Sequence, residues 1–261
     1  MIVKTLEEIE LLRQSSLLVG KTLAEVAKIM RPGVKTIELD KLAETFILDH
    51  GAKPGFKGYG GFPGTLCISV GAEVVHGIPS NRELKDGDLV SVDCGTLLNG
   101  YFGDYAYSFA VGECNDDIIK LQQATKESLY RGANQAIVGK RIGDIGSAIQ
   151  SYVEERGYSV VRDLVGHGIG RSLHEKPEVF NYGRSGNGKK LPENLVLCIE
   201  PMINMGVKEV VQESDGWTIV TRDRMPSAHF EHTVVIKKDQ PEFLSTYDFI
   251  EEVLNQNINI R

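Results

Sequence analysis

One stretch constrains this chain more than any other: Asp88-Leu-Val-Ser-Val-Asp93-Cys-Gly-Thr-Leu-Leu-Asn99-Gly100-Tyr-Phe-Gly-Asp104-Tyr-Ala-Tyr-Ser-Phe-Ala. Two β-rich runs flank Asn99-Gly100, the strongest short-range signal for a type I′ hairpin turn. With those two residues as the loop, Asp104 stands opposite Gly95 and Asp93 opposite Ala106. Side chains alternate faces along a strand. Asp93 and Asp104 therefore share one face as diagonal neighbours, with Cβ atoms roughly 7–8 Å apart. Leu89, Ser91, Gly95, Phe102, Ala106 and Ser108 share that face, while Val90, Val92 and Cys94 supply the other. A solvated face would accept two carboxylates. Among small and apolar neighbours they repel and cost desolvation unless something positive joins them. A metal ion, or a pair about 3.5–4 Å apart, would satisfy both.

At 261 residues the chain can bury a full core. A net charge of −7 argues against nucleic acid as the main ligand, although a ribosome contact needs only a local basic patch. Cys67, Cys94, Cys114 and Cys198 show no CxxC pairing or framework spacing, which fits reduced thiols. The N-terminus carries no signal-peptide pattern, and no run approaches the roughly 18 apolar residues of a membrane span. A cytoplasmic protein with no membrane role is expected, as a monomer.

Thr5 and Glu8 form a capping box for a first helix that stops at Pro32-Gly33. Thr36 caps a second helix, striped by Leu39, Leu42, Ala43, Phe46 and Ile47 and ended by Gly51. Residues 51–65 are a loop rich in Gly, Pro and aromatics. Two short strand-like runs, 67–70 and 73–79, lead into the hairpin. Two more helices are predicted over 116–138 and 142–156, the first started by Asn115 or Asp116, the second closed by Gly157. A second β-rich block runs from Tyr158 to about Lys237, interrupted by a loop at 181–194. A short helix near 247–255 follows. The order helix–helix–strands occurs twice. It implies a single domain of two similar halves, about 1–115 and 116–261, sharing a mostly antiparallel sheet with helices on its outer face: an α+β class.

Beyond the hairpin, His167, Glu200 and Glu231 sit at strand ends or beside Gly and Pro. Taken singly, a Glu before Pro is a strand-end charge and a His between glycines a packed core residue. Together, one His and four carboxylates make a hard site suited to paired Mn, Fe, Co or Zn ions rather than a structural zinc.

The surrounding motifs resemble the methionine aminopeptidases of the bacterial type I class. They are Val75-His76-Gly77-Ile78-Pro79, Val92-Asp93, Gly103-Asp104, Gly166-His167-Gly168-Ile169-Gly170-Arg171, His174-Glu175-Lys176-Pro177, Ile199-Glu200-Pro201-Met202, Asp215-Gly216-Trp217 and Phe230-Glu231-His232-Thr233. They keep the family's order from about residue 5 to about 250.

The resemblance implies a pseudo-twofold pita-bread fold and removal of the initiator methionine from nascent polypeptides when the second residue is small. It implies two divalent ions (Co, Mn, Fe, Zn or Ni). Asp93 would hold one, His167 and Glu200 the other, and Asp104 and Glu231 would bridge. Glu200 would also be the general base and acid. His76 and His174 would hydrogen-bond the peptide at the scissile bond. Tyr59, Phe62, Cys67, His76 and Trp217 would line the methionine pocket, with Phe56 and Leu173 beside them.

Some residues depart from the pattern. Cys94-Gly95 follows the first ligand where many members have Val-Thr. Leu173 stands where an aromatic is common, and Phe56 where a small residue is. His229 is taken as surface or as supporting the ligands. Two alternatives share the fold: an X-Pro peptidase, which usually carries an extra N-terminal domain, and a non-catalytic binding module, which typically loses metal ligands.

Overall fold

The first helix begins where its own side chains can satisfy the free amides of its first turn. The Thr5 hydroxyl accepts from the Glu8 amide at 3.2 Å, and the Glu8 carboxylate accepts from the Thr5 amide at 3.0 Å. The structure, a computed structural model, describes residues 1–261. Five helices form: α1 (Leu6–Ile29), α2 (Thr36–Asp49), α3 (Asp116–Ala133), α4 (Ile142–Glu154) and α5 (Asp248–Leu254). The strands are β1 (Lys53–Pro54), β2 (Leu66–Val70), β3 (Glu73–Val75), β4 (Leu89–Leu98), β5 (Tyr101–Ala110), β6 (Ser159–Val160), β7 (Gly166–Gly168) and β8 (Glu175–Val179). After them come β9 (Val196–Ile199), β10 (Met202–Asn204), β11 (Val210–Gln212), β12 (Ile219–Thr221), β13 (Ser227–His229), β14 (His232–Val235) and β15 (Glu242–Phe243).

The hairpin has the expected register. Asp93 pairs with Ala106 and Gly95 with Asp104, and Asn99 and Gly100 both turn at positive φ (52° and 81°). α1 lies across β4 and β5. A Cβ at Gly103 would collide with the Ser15–Ser16 backbone, so only glycine lets helix and strand approach this closely.

The strands divide into four antiparallel ladders rather than one continuous sheet. The first joins β1, β2, β4 and β5; the second β6, β10 and β13; the third β3, β11 and β12; the fourth β7, β8, β9, β14 and β15. Backbone and side-chain hydrogen bonds join the two largest across the molecule's middle. The Glu231 amide donates to Ala106 O at 3.1 Å, and the Thr233 hydroxyl donates to Asp104 O at 2.7 Å. Ser108 exchanges hydrogen bonds with the backbone of His229. One buried apolar cluster of 46 residues runs from α1 through the hairpin to Leu197 and Val234, so both halves share a core.

Two helix boundaries differ from expectation. α3 ends at Ala133, five residues before 138, because Ile137 leaves the helical path to bridge Lys237 and the Val138 amide donates to Lys237 O. Thr36 is the first helical residue rather than the cap; its hydroxyl bonds the Ser80 backbone instead, and Lys35 is the N-cap without a side-chain bond. No helix is long and apolar enough to cross a membrane.

Candidate metal centre

Asp93 and Asp104 reach the floor of a cavity from the two strands of the hairpin. The second half brings three side chains to meet them. His167 sits in β7, between glycines that the packing requires: a Cβ at Gly166 would collide with Cys198 O. Glu200 is the first residue past β9, and Glu231 the last before β14. All five line the same cavity, of about 230 Å³.

Charge is badly balanced there. Burial pushes the Asp93 carboxyl up to about 7. Burial, then the neighbouring carboxylates, push Asp104, Glu200 and Glu231 well above the usual carboxylate range. No Lys or Arg lines the cavity. Asp93 Oδ1, Asp104 Oδ1 and Glu231 Oε1 are buried without any hydrogen-bond partner. Burial holds His167 neutral, down at about 3. Its Nδ1–H donates to Gly168 O at 2.9 Å, which leaves the Nε2 lone pair facing Asp104 Oδ2 at 3.6 Å and Glu200 Oε1 at 3.5 Å. A lone pair turned on two carboxylates is repulsive until a cation stands between them. The donor set therefore fits hard divalent cations.

The cavity's apolar wall is Phe56, Phe62, Cys67 and Leu173, packed against Trp217. Phe62 and Trp217 meet edge to face, with centroids 5.2 Å apart. Tyr59 and His174 stand exposed at the mouth. The Tyr59 hydroxyl and His174 Nδ1 share a hydrogen bond of 2.8 Å, which leaves Nε2 of that ring free to face the cavity. His174 packs edge-on against His167, centroids 4.3 Å apart. His76 also lines the cavity, at the non-glycine φ of 59°, a strained backbone of the kind stored at functional sites. Every expected site residue thus lies on one cavity.

Sequence reasoning missed several neighbours. Cys198 Sγ lies within 4.8 Å of the donor atoms of Asp104, His167 and Glu231. It arrives there because Cys198 pairs with His167 between β9 and β7, a register no local pattern announces. Val75, Leu164, Val165 and Met202 form a second wall. His229 is not at the surface: it is buried, lines the cavity and keeps Nε2 unpartnered.

The model of metallopeptidase family M24 matches residues 10–238. The methionine aminopeptidase of Clostridium acetobutylicum is 52% identical over 94% of this chain and 98% of its own length. The crystal structure of methionine aminopeptidase from Rickettsia prowazekii superposes with a TM-score of 0.93 at 40% identity, covering 94% of this chain and 100% of that one. The X-Pro aminopeptidase of Thermotoga maritima shares the fold, with a TM-score of 0.75 at 23% identity; the match covers 94% of this chain but only 62% of that longer one.

Proposed function

The chain belongs to metallopeptidase family M24, and from that premise we propose that it is a methionine aminopeptidase that removes the initiator methionine of proteins whose second residue is small. Its fold is the pita-bread fold of that family. The observation that carries the reading is the set of buried carboxylate oxygens without partners at the floor of an apolar cavity.

Asp93, Asp104, His167, Glu200 and Glu231 would hold the two divalent cations, Asp93 on one side, His167 and Glu200 on the other, with Asp104 and Glu231 serving both. When bound, these ions supply Lewis-acid polarisation of the scissile carbonyl and acidify a water at neutral pH. Glu200 moves the proton: as a carboxylate beside the attacking water it accepts a proton and then returns it to the leaving amine. His174 donates toward the developing oxyanion from Nε2, the ring nitrogen that Tyr59 does not engage. His76, neutral because burial depresses it, hydrogen-bonds the peptide at the scissile bond. The substrate's amino terminus binds on the Asp93 side. Capture of the free amino terminus there explains why one residue leaves at a time.

Tyr59, Phe62, Cys67, His76 and Trp217 form the methionine pocket. Aromatic edges suit a thioether. The cavity is smaller than the roughly 300–1,000 Å³ of pockets that take drug-sized ligands, which favours one side chain and a small residue after it.

The chain works as one catalytic domain of two similar halves, about 1–115 and 116–261. Neither half holds the donor set alone. Cobalt, manganese, iron, zinc and nickel all suit the donors. Nascent chains at the ribosome are the natural source of substrate for a cytoplasmic monomer of this kind, and its four free thiols accord with that compartment.

The test is methionine release from a Met-Gly peptide, beside an X-Pro peptide, as Mn²⁺, Co²⁺ or Fe²⁺ is titrated into chelated protein. Metal-dependent release from Met-Gly alone is expected. Cleavage of X-Pro alone would overturn the specificity, and folded protein inert with every metal would overturn catalysis.

A further inference from the structure

One charged pair outside the cavity has no part in the reaction just described. Lys4 Nζ lies 2.6 Å from Glu175 Oε2, and the two side chains are only 3% and 9% exposed. An ion pair this far from water must overcome the desolvation of both charges, unlike a surface salt bridge. Its place in the fold matters. Lys4 immediately precedes the α1 cap, and its amide donates to Asn194 O at 2.9 Å, beside the start of β9. Glu175 directly follows His174 and opens β8 opposite Gly168.

Between the two strands, residues 169–174 carry Leu173 of the pocket wall and His174. The pair runs tight beneath this loop. A Cβ at Gly170 would collide with both Lys4 Nζ and Glu175 Oε1, so the last glycine of Gly166-His167-Gly168-Ile169-Gly170 leaves room for the pair itself. The loop has further ties to the same corner. Gly170 O accepts from the Phe102 amide at 2.9 Å. The Arg171 guanidinium stacks 4.7 Å from the Tyr101 ring centroid, and the Tyr101 hydroxyl donates to Glu8 of α1 at 2.8 Å.

Resting on the aminopeptidase reading, we propose that the buried Lys4–Glu175 ion pair positions the 169–175 loop and thereby sets His174 against the scissile bond. Lys4 and Glu175 are positioning residues that act through His174. The ring is held on one side by the Tyr59 hydroxyl and on the other by its bonded neighbour Glu175. Without Lys4, the Glu175 carboxylate is buried and uncompensated; it turns toward water and takes the adjoining residue with it. A displacement of about 1 Å at a catalytic group costs on the order of 100-fold in rate.

The test measures kcat and KM for methionine release from Met-Gly peptide by metal-loaded protein, with folding checked by circular dichroism. Lys4→Met is expected to lower kcat by about 10- to 100-fold with KM little changed. In a His174→Ala background the same substitution should lower kcat no further, because the group it acts through is gone. Removing both charges, as Lys4→Met with Glu175→Met, should restore much of the rate, since no lone charge remains buried. Gly170→Ala keeps both charges but drives a methyl group between them; it should lower kcat as Lys4→Met does, and it covers the case in which Lys4→Met does not fold. Wild-type kcat in both single variants overturns the proposal, as does an equal further loss in the His174→Ala background. Wild-type protein that releases no methionine overturns the function and this proposal together; a wild type that does, matched by its variants, overturns this proposal alone.

Discussion

The two regions that build the metal centre are made in different ways. Asp93 and Asp104 come from one hairpin of ten paired positions joined by a two-residue turn, so their spacing is set by strand geometry alone. His167, Glu200 and Glu231 come from β7 and from single residues just outside β9 and β14. Those strands are only three or four residues long, and the side chains stand 31 to 64 positions apart in sequence. Their convergence depends on the β14–β9–β7 pairing and on the hydrogen bonds from Glu231 and Thr233 to β5. The first region resembles a ruler, the second a set of separate arms brought to its edge. A chain can thus place two proposed ligands by local register and three by tertiary packing.

Loss of a ligand from either region gives the largest expected effect. Asp104→Asn removes a ligand from the ruler and His167→Ala one from an arm. Each should lower metal-dependent methionine release by more than about 100-fold, beyond the usual cost of changing a residue that only supports a ligand. Circular dichroism should show the fold retained. Full activity in either purified variant would break the ligand assignment for its region.

An intermediate effect compares how tightly each region is packed. Gly103→Ala would press a methyl group into the α1 backbone at Ser15, and Gly166→Ala would press one into Cys198 O. Both should destabilise by about 1–3 kcal/mol, the usual cost of overpacking, read by urea denaturation of the chelated protein. A negligible cost at Gly166 with a full cost at Gly103 would mean that the arms yield where the ruler cannot.

The smallest effect is electrostatic and involves both regions at once. Folding raises the carboxyl pKa of Asp93 to about 7, and raises Asp104, Glu200 and Glu231 as well. A raised acid stabilises the fold only while it keeps its proton, and that contribution is lost as pH rises through the folded pKa. The buried histidines work the other way: His167, His229 and His232 are depressed to about 3, and they cost stability as pH falls below the ordinary histidine value. Above pH 7 they are neutral in both states, and the carboxyls act together with the buried thiols of Cys67, Cys94 and Cys198, which burial also raises and which lower stability in the same direction. Chelated protein should therefore melt lower at pH 9 than at pH 7, on the order of 2–4 °C, the shift that about 1 kcal/mol produces in a chain near this size. Added divalent metal should reduce the fall, because it takes away the carboxyls' share. A melting temperature that rises over that range without metal would contradict the unbalanced cluster.

Much of the fold was legible because its signals are local. The Thr5–Glu8 capping box, the Asn99-Gly100 turn and the glycines that follow helices each act through neighbours a few residues away. Where expectation failed, a distant partner had won. The end of α3 was decided by Lys237, more than a hundred residues downstream, and the hydroxyl of Thr36 by the backbone of Ser80. Cys198 fell outside the expected site for the same reason, and of the two readings of His229 the surface one failed. A thiol in an apolar run carries no mark of the donors it lies beside, and a histidine before Phe230 none of the cavity it lines.

By itself the sequence determined the hairpin, the facing of Asp93 and Asp104 on it, and the identities of the polar residues punctuating the second half. Alternation with period two and a turn that demands positive φ leave few other ways to fold that stretch. Only the tertiary structure decided that His167, Glu200 and Glu231 meet those carboxylates, that Cys198 and His229 join them, and that Lys4 reaches Glu175. Such contacts span up to 171 positions. They exist because burying a shared core outweighs the entropy of closing long loops, and no short window of sequence records that balance.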